Sequence, residues 1–248
     1  MKDDTRATSH TMRAASELRH RILSGHYPGG ARIYEAEVAS DLDVSRTPVR
    51  AALSLLAEEG LLERGRSGGF VVRRFEYQDF ADTIQLRGVL EGTAARFAAE
   101  RGVPAAQWSE VDRLLADLDA CVNAPDDALD VTRYLKLNGA FHDALARLSG
   151  SGVIVAELER LKRLPFASPS AFVKQHLPPS QLSGGYRAAQ AQHRGIVAAI
   201  RAREGSRAEA LAREHARIAI RNLDRIFAEG ADEEAGALAL MGGSGAAG

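Results

Sequence analysis

The stretch "EAEVASDLDVSRTPVRAALSLLAEEG", residues 35–60, decides how the front of the chain is read. A short helical run over Glu35 to Leu42 meets a turn at Asp43 and Val44. Ser45 then reads as the N-cap of a longer helix reaching about Glu59. Pro48 falls in the first turn of that helix, where its missing N–H does little harm. Val49, Leu53 and Leu56 recur at helical spacing as a buried stripe, whereas Arg46 and Arg50, at i and i+4, share another face and point outward together. A short helix, a tight turn and a second helix offered by its N-terminal end match a helix-turn-helix reader of the DNA major groove. Arginine suits that place, because its planar fork pairs with guanine edges or phosphate oxygens. Spacing alone equally permits a solvated pair near a helix start.

The flanking sequence extends the pattern. Upstream, Met12, Ala15, Leu18 and Ile22 predict a helix to about Leu23, followed by a turn-rich connection with an extended piece at Ala31 to Tyr34. Downstream, "LLERGRSGGFVVRRF" reads as two short strands, Leu61-Leu62 and Phe70-Val71-Val72, around a glycine-containing turn. Arg64, Arg66, Arg73 and Arg74 surround its tip, so a basic wing could reach phosphates or the minor groove, although Glu58, Glu59 and Glu63 dilute the charge.

The 248 residues suffice for two modest domains, and 45% hydrophobic with 26% charged residues is ordinary soluble composition. The net charge of −1 divides into +2 over residues 1–75 and −3 over the remainder, a contrast too small to name a polyanion partner by itself. Cys121 is the single cysteine, which excludes an intramolecular disulfide framework and a zinc-finger cluster, and its place on an apolar helix face reads as core. Neither a signal peptide nor a spanning segment is evident, so a cytoplasmic location is expected.

From about Asp79 the pattern is almost wholly helical. Helices are expected over 80–101, from Pro104 to Cys121, over Val131 to Leu148, over 153–164 and over Gln190 to Arg203. Ser206 and Glu209 have capping-box spacing and predict a final helix to about Phe227. The expected organisation is a reader over 10–75, a connection over 76–80, a helical domain over 81–230 and a disordered tail over 231–248. The fold class is mainly α, with a winged helix-turn-helix followed by an all-helical antiparallel bundle.

Within the helical part, Asn138 and His142 share a face at i and i+4, next to Phe141. His193 and His215 lie on later helices. If those helices are neighbours, the four side chains could converge on zinc or a similar divalent ion, and otherwise they are unrelated histidines. Zinc with an open position can activate water, yet Glu214 turns about 100° away from His215 on the helix and offers no acid–base partner. Catalysis is therefore not expected. Arg87 and Glu91 permit an ordinary surface salt bridge worth about 0.3–0.5 kcal/mol.

Residues 16 to 74 resemble the winged helix-turn-helix domain of the GntR family of bacterial transcription regulators almost throughout, from "ILSGHYPGGARIYE" to "GRSGGFVV". The resemblance implies that Arg46 and Arg50 contact operator DNA, Thr47 contacts phosphate, and Gly68 or Gly69 brings the wing tip, with Arg64 and Arg66, to the minor groove. Ala36 stands where the family commonly has arginine. Residues from about 80 to 228 are similar to the all-helical FCD domain of the FadR-like branch, on the segments "NGAFH", "QHRGIVAAI" and "AREHARIAI". That similarity implies a metal set of Asn138, His142, His193 and His215, most simply holding zinc, with nickel or manganese as alternatives. It also implies that Arg87 helps hold a small organic acid. A neutral Asn138 replaces the more usual aspartate, which favours an anionic effector as a further ligand. The expected protein is a homodimeric repressor of double-stranded operator DNA relieved by such an acid. A metal-responsive or constitutive DNA binder is the alternative.

Overall fold

The apolar stripe of the second reader helix is buried, as its spacing requires. The computed structural model describes residues 2–65, 68–125, 128–169, 179–228 and Leu240. Helix α1 (Lys2–Leu23) lays Ala15, Leu18 and Ile22 against Val49, Leu53 and Leu56 of α3 (Arg46–Glu58), all fully buried. Each of the valine, leucine and isoleucine side chains among them contributes about 1.5–3 kcal/mol of burial. Met12, expected on the same stripe, is instead 56% exposed, while Ala14 joins Ala15 in facing inward. Between these helices, α2 (Glu35–Asp41) ends in a turn where Asp43 takes φ +50, a left-handed conformation that a short polar side chain tolerates. Ser45 occupies the N-cap backbone position of α3 without a side-chain cap bond.

The expected hairpin forms two strands of a three-stranded antiparallel sheet whose central strand is the second of the hairpin. Strand β2 (Leu62–Arg64) pairs with β3 (Phe70–Val72) in the register Leu62 to Val72 and Arg64 to Phe70. On the other side of β3 lies β1 (Arg32–Ile33), with Ile33 opposite Phe70. A turn over 28–31 delivers β1, and Gly30 adopts φ +87 there while donating to the Val72 carbonyl at 2.8 Å. A Cβ at Gly30 would lie 2.5 Å from Arg74 Nε, so glycine lets that guanidinium close over the turn.

This first compact unit ends at Phe80, and Leu240, alone described in the expected tail, belongs to it: buried, it accepts the Phe75 N–H at 3.2 Å. A second unit covers Ala81–Ala228. Helix α4 (Tyr77–Arg101) starts inside the connection expected over 76–80. It is followed by α5 (Trp108–Val122), α6 (Val131–Leu148), α7 (Gly152–Leu161), α8 (Pro179–Arg201) and α9 (Gly205–Ala228). Leu114 and Leu118 of α5, Phe141 and Leu145 of α6, and Ile196 and Ile200 of α8 share its core with Ala95, Ala98 and Ala99 of α4. Cys121 is buried and free, as expected.

Several helix starts differ from the sequence reading: α1 begins at Lys2 rather than near Met12, α5 at Trp108 rather than at Pro104, and α8 and α9 both start earlier than expected. Helix α8 begins eleven residues before Gln190, in a segment whose prolines, glycines and serines suggest irregular structure. Tyr186 explains the extension, because it is buried and stacks on Tyr134 with ring centroids 4.0 Å apart, and such packing outweighs weak propensity. Helix α9 begins at Gly205, so Ser206 lies inside the first turn rather than ahead of it; the Ala208 N–H bonds to the Glu204 carbonyl at 2.9 Å. Gly88 and Gly92 of α4 permit close approach to α9, where a Cβ on Gly88 would meet that of Ala216 at 2.8 Å. Among the described residues, no helix is long and apolar enough to cross a membrane.

Candidate functional site

Three helices of the second unit place histidine side chains around one buried point. His142 comes from α6, His193 from α8 and His215 from α9. His215 Nε2 lies 3.0 Å from His193 Nε2 and 3.2 Å from His142 Nε2, and one ligand atom from each histidine falls within 4.8 Å of the others. All three rings are buried, and the fully buried Phe141 covers His193 with centroids 4.3 Å apart. Asn138 is also buried, one turn before His142 on α6. The sequence-predicted histidines are thus brought together, with Asn138 on the adjoining turn.

The outer nitrogens reveal what the inner ones do. Gln190 spends its amide N–H groups on the Leu115 carbonyl at 3.1 Å and Asp119 Oδ1 at 2.9 Å, so its oxygen faces His193 Nδ1 at 3.0 Å. The Gln192 oxygen faces His215 Nδ1 at the same distance. His142 Nδ1 lies 3.1 Å from Glu91 Oε1, within ion-pair range but not aligned as a hydrogen bond. The outer nitrogens of His193 and His215 therefore have oxygen acceptors, which place the proton on Nδ1 and a lone pair on Nε2, and the Glu91 carboxylate beside His142 Nδ1 favours the same arrangement there. Lone pairs on nitrogens 3.0 and 3.2 Å from His215 Nε2 repel its own unless a cation sits among them. For zinc–nitrogen bonds of about 2.0–2.1 Å, a tetrahedral edge is about 3.3–3.4 Å, close to the two contacts seen. The donor set fits a divalent ion.

The electrostatics point the same way. Burial holds His193 well below the ordinary histidine value and His215 down at about 3, so neither carries its own proton charge near neutrality. Burial would raise the Glu91 carboxyl, but His142, Arg87 and His215 outweigh it and draw the carboxyl down to about 2. Arg87 is not on the surface, as an ordinary salt bridge would be, but only 2% exposed. Its Nη1 donates to the Ala167 carbonyl at 2.9 Å, while its Nε stands 3.8 Å from Glu91 Oε1 without a hydrogen bond. Glu91 thus lies between Arg87 and His142, beyond the structural role its helical spacing suggests. Sequence reasoning missed it in this place, along with Gln190 and Gln192; the i, i+3 step from Gln190 to His193 was the available signal. A surface pocket of about 320 Å³ bordered by Trp108, Arg201 and Arg203 shares no residue with this cluster.

In the first unit, Arg46, Thr47 and Arg50 are exposed on the first turns of α3. The sheet carries Arg64 at the end of β2, its guanidinium 5.5 Å from the Phe70 ring. Gly68 and Gly69 take φ +85 and +75 at the wing tip, which glycine adopts without strain. Arg66 falls outside the described residues.

Comparison with known proteins places both units. Residues 11–72 match bacterial regulatory proteins of the gntR family, and residues 82–217 match the FCD domain. An HTH-type transcriptional regulator from an unstable DNA locus of Streptomyces ambofaciens is 35% identical over 171 residues, covering 64% of this chain and 69% of that protein. The gluconate operon transcriptional repressor of Bacillus licheniformis is 29% identical over 154 residues, 61% of this chain and 60% of that protein. Among solved structures, McbR/YncC of E. coli superposes with a TM-score of 0.63 at 21% identity, covering 88% of this chain and 98% of its own, a likeness of fold.

Proposed function

This chain belongs to the gntR family of bacterial regulatory proteins and carries an FCD domain, and on that premise we propose that it is a cytoplasmic repressor whose operator affinity is set by a small organic acid bound beside a divalent metal. That it is a DNA-binding transcription regulator rather than an enzyme follows from the family. The convergence of the His142, His193 and His215 Nε2 atoms supports the finer reading. These nitrogens, with Asn138 on the adjoining turn, would hold zinc or a similar ion, nickel and manganese being alternatives. When bound, the ion supplies a positive centre able to accept a carboxylate oxygen.

Charge accounting favours an acid. Arg87 is positive, and Glu91 is the one buried carboxylate among the described residues. With a divalent ion present, two positive charges remain uncompensated in a buried site, which an anion offsets and a neutral ligand does not. The buried Arg87 is positioned to hold such an anion. A relative named for a gluconate operon, and called a repressor, fits both the acid and the sign.

At the other end, the exposed first turn of α3 presents Arg46, Thr47 and Arg50 to DNA, while Arg64, Gly68 and Gly69 belong to the wing, and Arg66, outside the described residues, is assigned to DNA contact from its sequence position alone. A homodimer would place two such helices on an operator with two half-sites, and the exposed Leu86 and Val89 of α4 offer an apolar face to the second copy. The experiment is a titration of a duplex selected from a randomised pool, at controlled salt, by wild type, R46A and R50A. Both substitutions are expected to weaken binding. Unchanged binding in both defeats the reading.

A further inference from the structure

The two arginines of α3 differ in a way their spacing does not show. The Arg50 side chain is 72% exposed, yet its guanidinium is already engaged. Nε donates to Glu35 Oε1 at 2.9 Å and to Oε2 at 3.1 Å, and Nη2 donates to Oε2 at 2.9 Å. Glu35 is the first residue of α2, and its side chain is only 20% exposed, so the carboxylate is anchored. Arg46, one turn earlier and also exposed, makes no salt bridge among the described residues.

A fork held along its Nε–Nη2 edge has one edge left. Nη1 and the outer N–H of Nη2 are coplanar donors directed away from Glu35, the pairing that matches O6 and N7 of guanine. A phosphate arriving there would bring its full charge towards the Glu35 carboxylate, whereas a guanine edge brings lone pairs without net charge. Fixing the guanidinium beforehand also removes part of the ordering cost of binding. We propose that Glu35 is a specificity-determining positioning residue: it turns Arg50 into a reader of one guanine in the major groove and away from phosphate. Phosphate contact then falls to Arg46 and the α3 N-terminus. This rests on the DNA-binding reading above.

The test uses the full chain. Wild type, E35A, E35Q, R50A and R46A each select from a duplex pool with a randomised centre. Their affinities are then measured for the duplex chosen by wild type and for an unrelated duplex over a range of salt, with thermal melting to verify folding. E35A is expected to lose guanine preference at one position, the same one lost in R50A, and to bind the selected duplex about tenfold more weakly. Its binding to the unrelated duplex should strengthen, because one negative charge has gone; E35Q should fall between. R46A should weaken both duplexes together and lower the salt slope by about one. A merely structural Glu35 would weaken both duplexes in parallel. That parallel loss, or retained guanine preference in E35A, overturns the proposal. If wild type enriches no sequence, DNA reading by α3 itself fails and the proposal falls with it.

Discussion

Replacing Glu91 with glutamine keeps the side chain's shape and removes its charge from between His142 Nδ1, 3.1 Å away, and Arg87 Nε, 3.8 Å away. Outer partners of a ligating histidine typically carry 10- to 100-fold in metal affinity. The zinc Kd of E91Q should therefore rise about 10- to 100-fold, or about 1.4–2.7 kcal/mol. The metal-free protein should suffer separately, since removing one member of a buried ion pair costs about 3–5 kcal/mol. The long, unaligned Arg87 contact and the retained bond to the Ala167 carbonyl place the cost near the low end of that range. Zinc competition against a chromogenic chelator reads the first effect, and denaturant unfolding of the apoprotein reads the second. E110Q is the control, because Glu110 is half-exposed and pairs with Arg147 on the surface, where a loss of about 0.5 kcal/mol is expected. An E91Q protein matching wild type in both assays would refute the placement of Glu91 as the outer partner of His142.

Two glycines should respond in opposite directions. G88A drives a Cβ to 2.8 Å from that of Ala216, the neighbour of His215, and should cost about 1–3 kcal/mol along with some zinc affinity. G139A meets open space within α6 and should stabilise by about 0.5–1 kcal/mol, so equal melting temperatures for the two variants would contradict the α4–α9 packing. A third expectation concerns pH. Burial depresses His193 and holds His215 at about 3, so the unfolded chain takes up protons first as the pH falls below the ordinary 6.5. The stability they contribute is present above 6.5 and is lost between there and 3, so the apoprotein's denaturation midpoint should decline through that window. A midpoint flat from pH 7 to 5 would count against neutral, buried imidazoles.

Strong periodicity made α6 legible, since Phe141, Leu145 and Leu148 describe one face, and all three are buried. The reader helices were legible for the same reason, with the stripe at Val49, Leu53 and Leu56. Strand β1 was harder, because two residues carry no alternation and only pairing with β3 defines them. The start of α8 was hidden because Tyr186 gains its helical place from a stack on Tyr134 that sequence spacing does not encode. His142, His193 and His215 could be suspected from their types, but their convergence depends on how α6, α8 and α9 meet. The partners that orient them, Glu91 and Gln192 above all, lie at positions where a single sequence shows only an unremarkable charge or amide.

Coupling between the two sites is tested most directly by measuring operator affinity at fixed, saturating zinc with and without a panel of small acids, gluconate and citrate among them, for wild type and H215A. An effector shifts the balance only if it binds one DNA-affinity state better than the other. At least one acid should weaken operator binding by wild type tenfold or more, about 1.4 kcal/mol of coupling, and leave H215A unchanged. Operator affinity that no acid alters at saturating zinc, or that shifts equally in H215A, contradicts a repressor governed through the His142, His193 and His215 cluster.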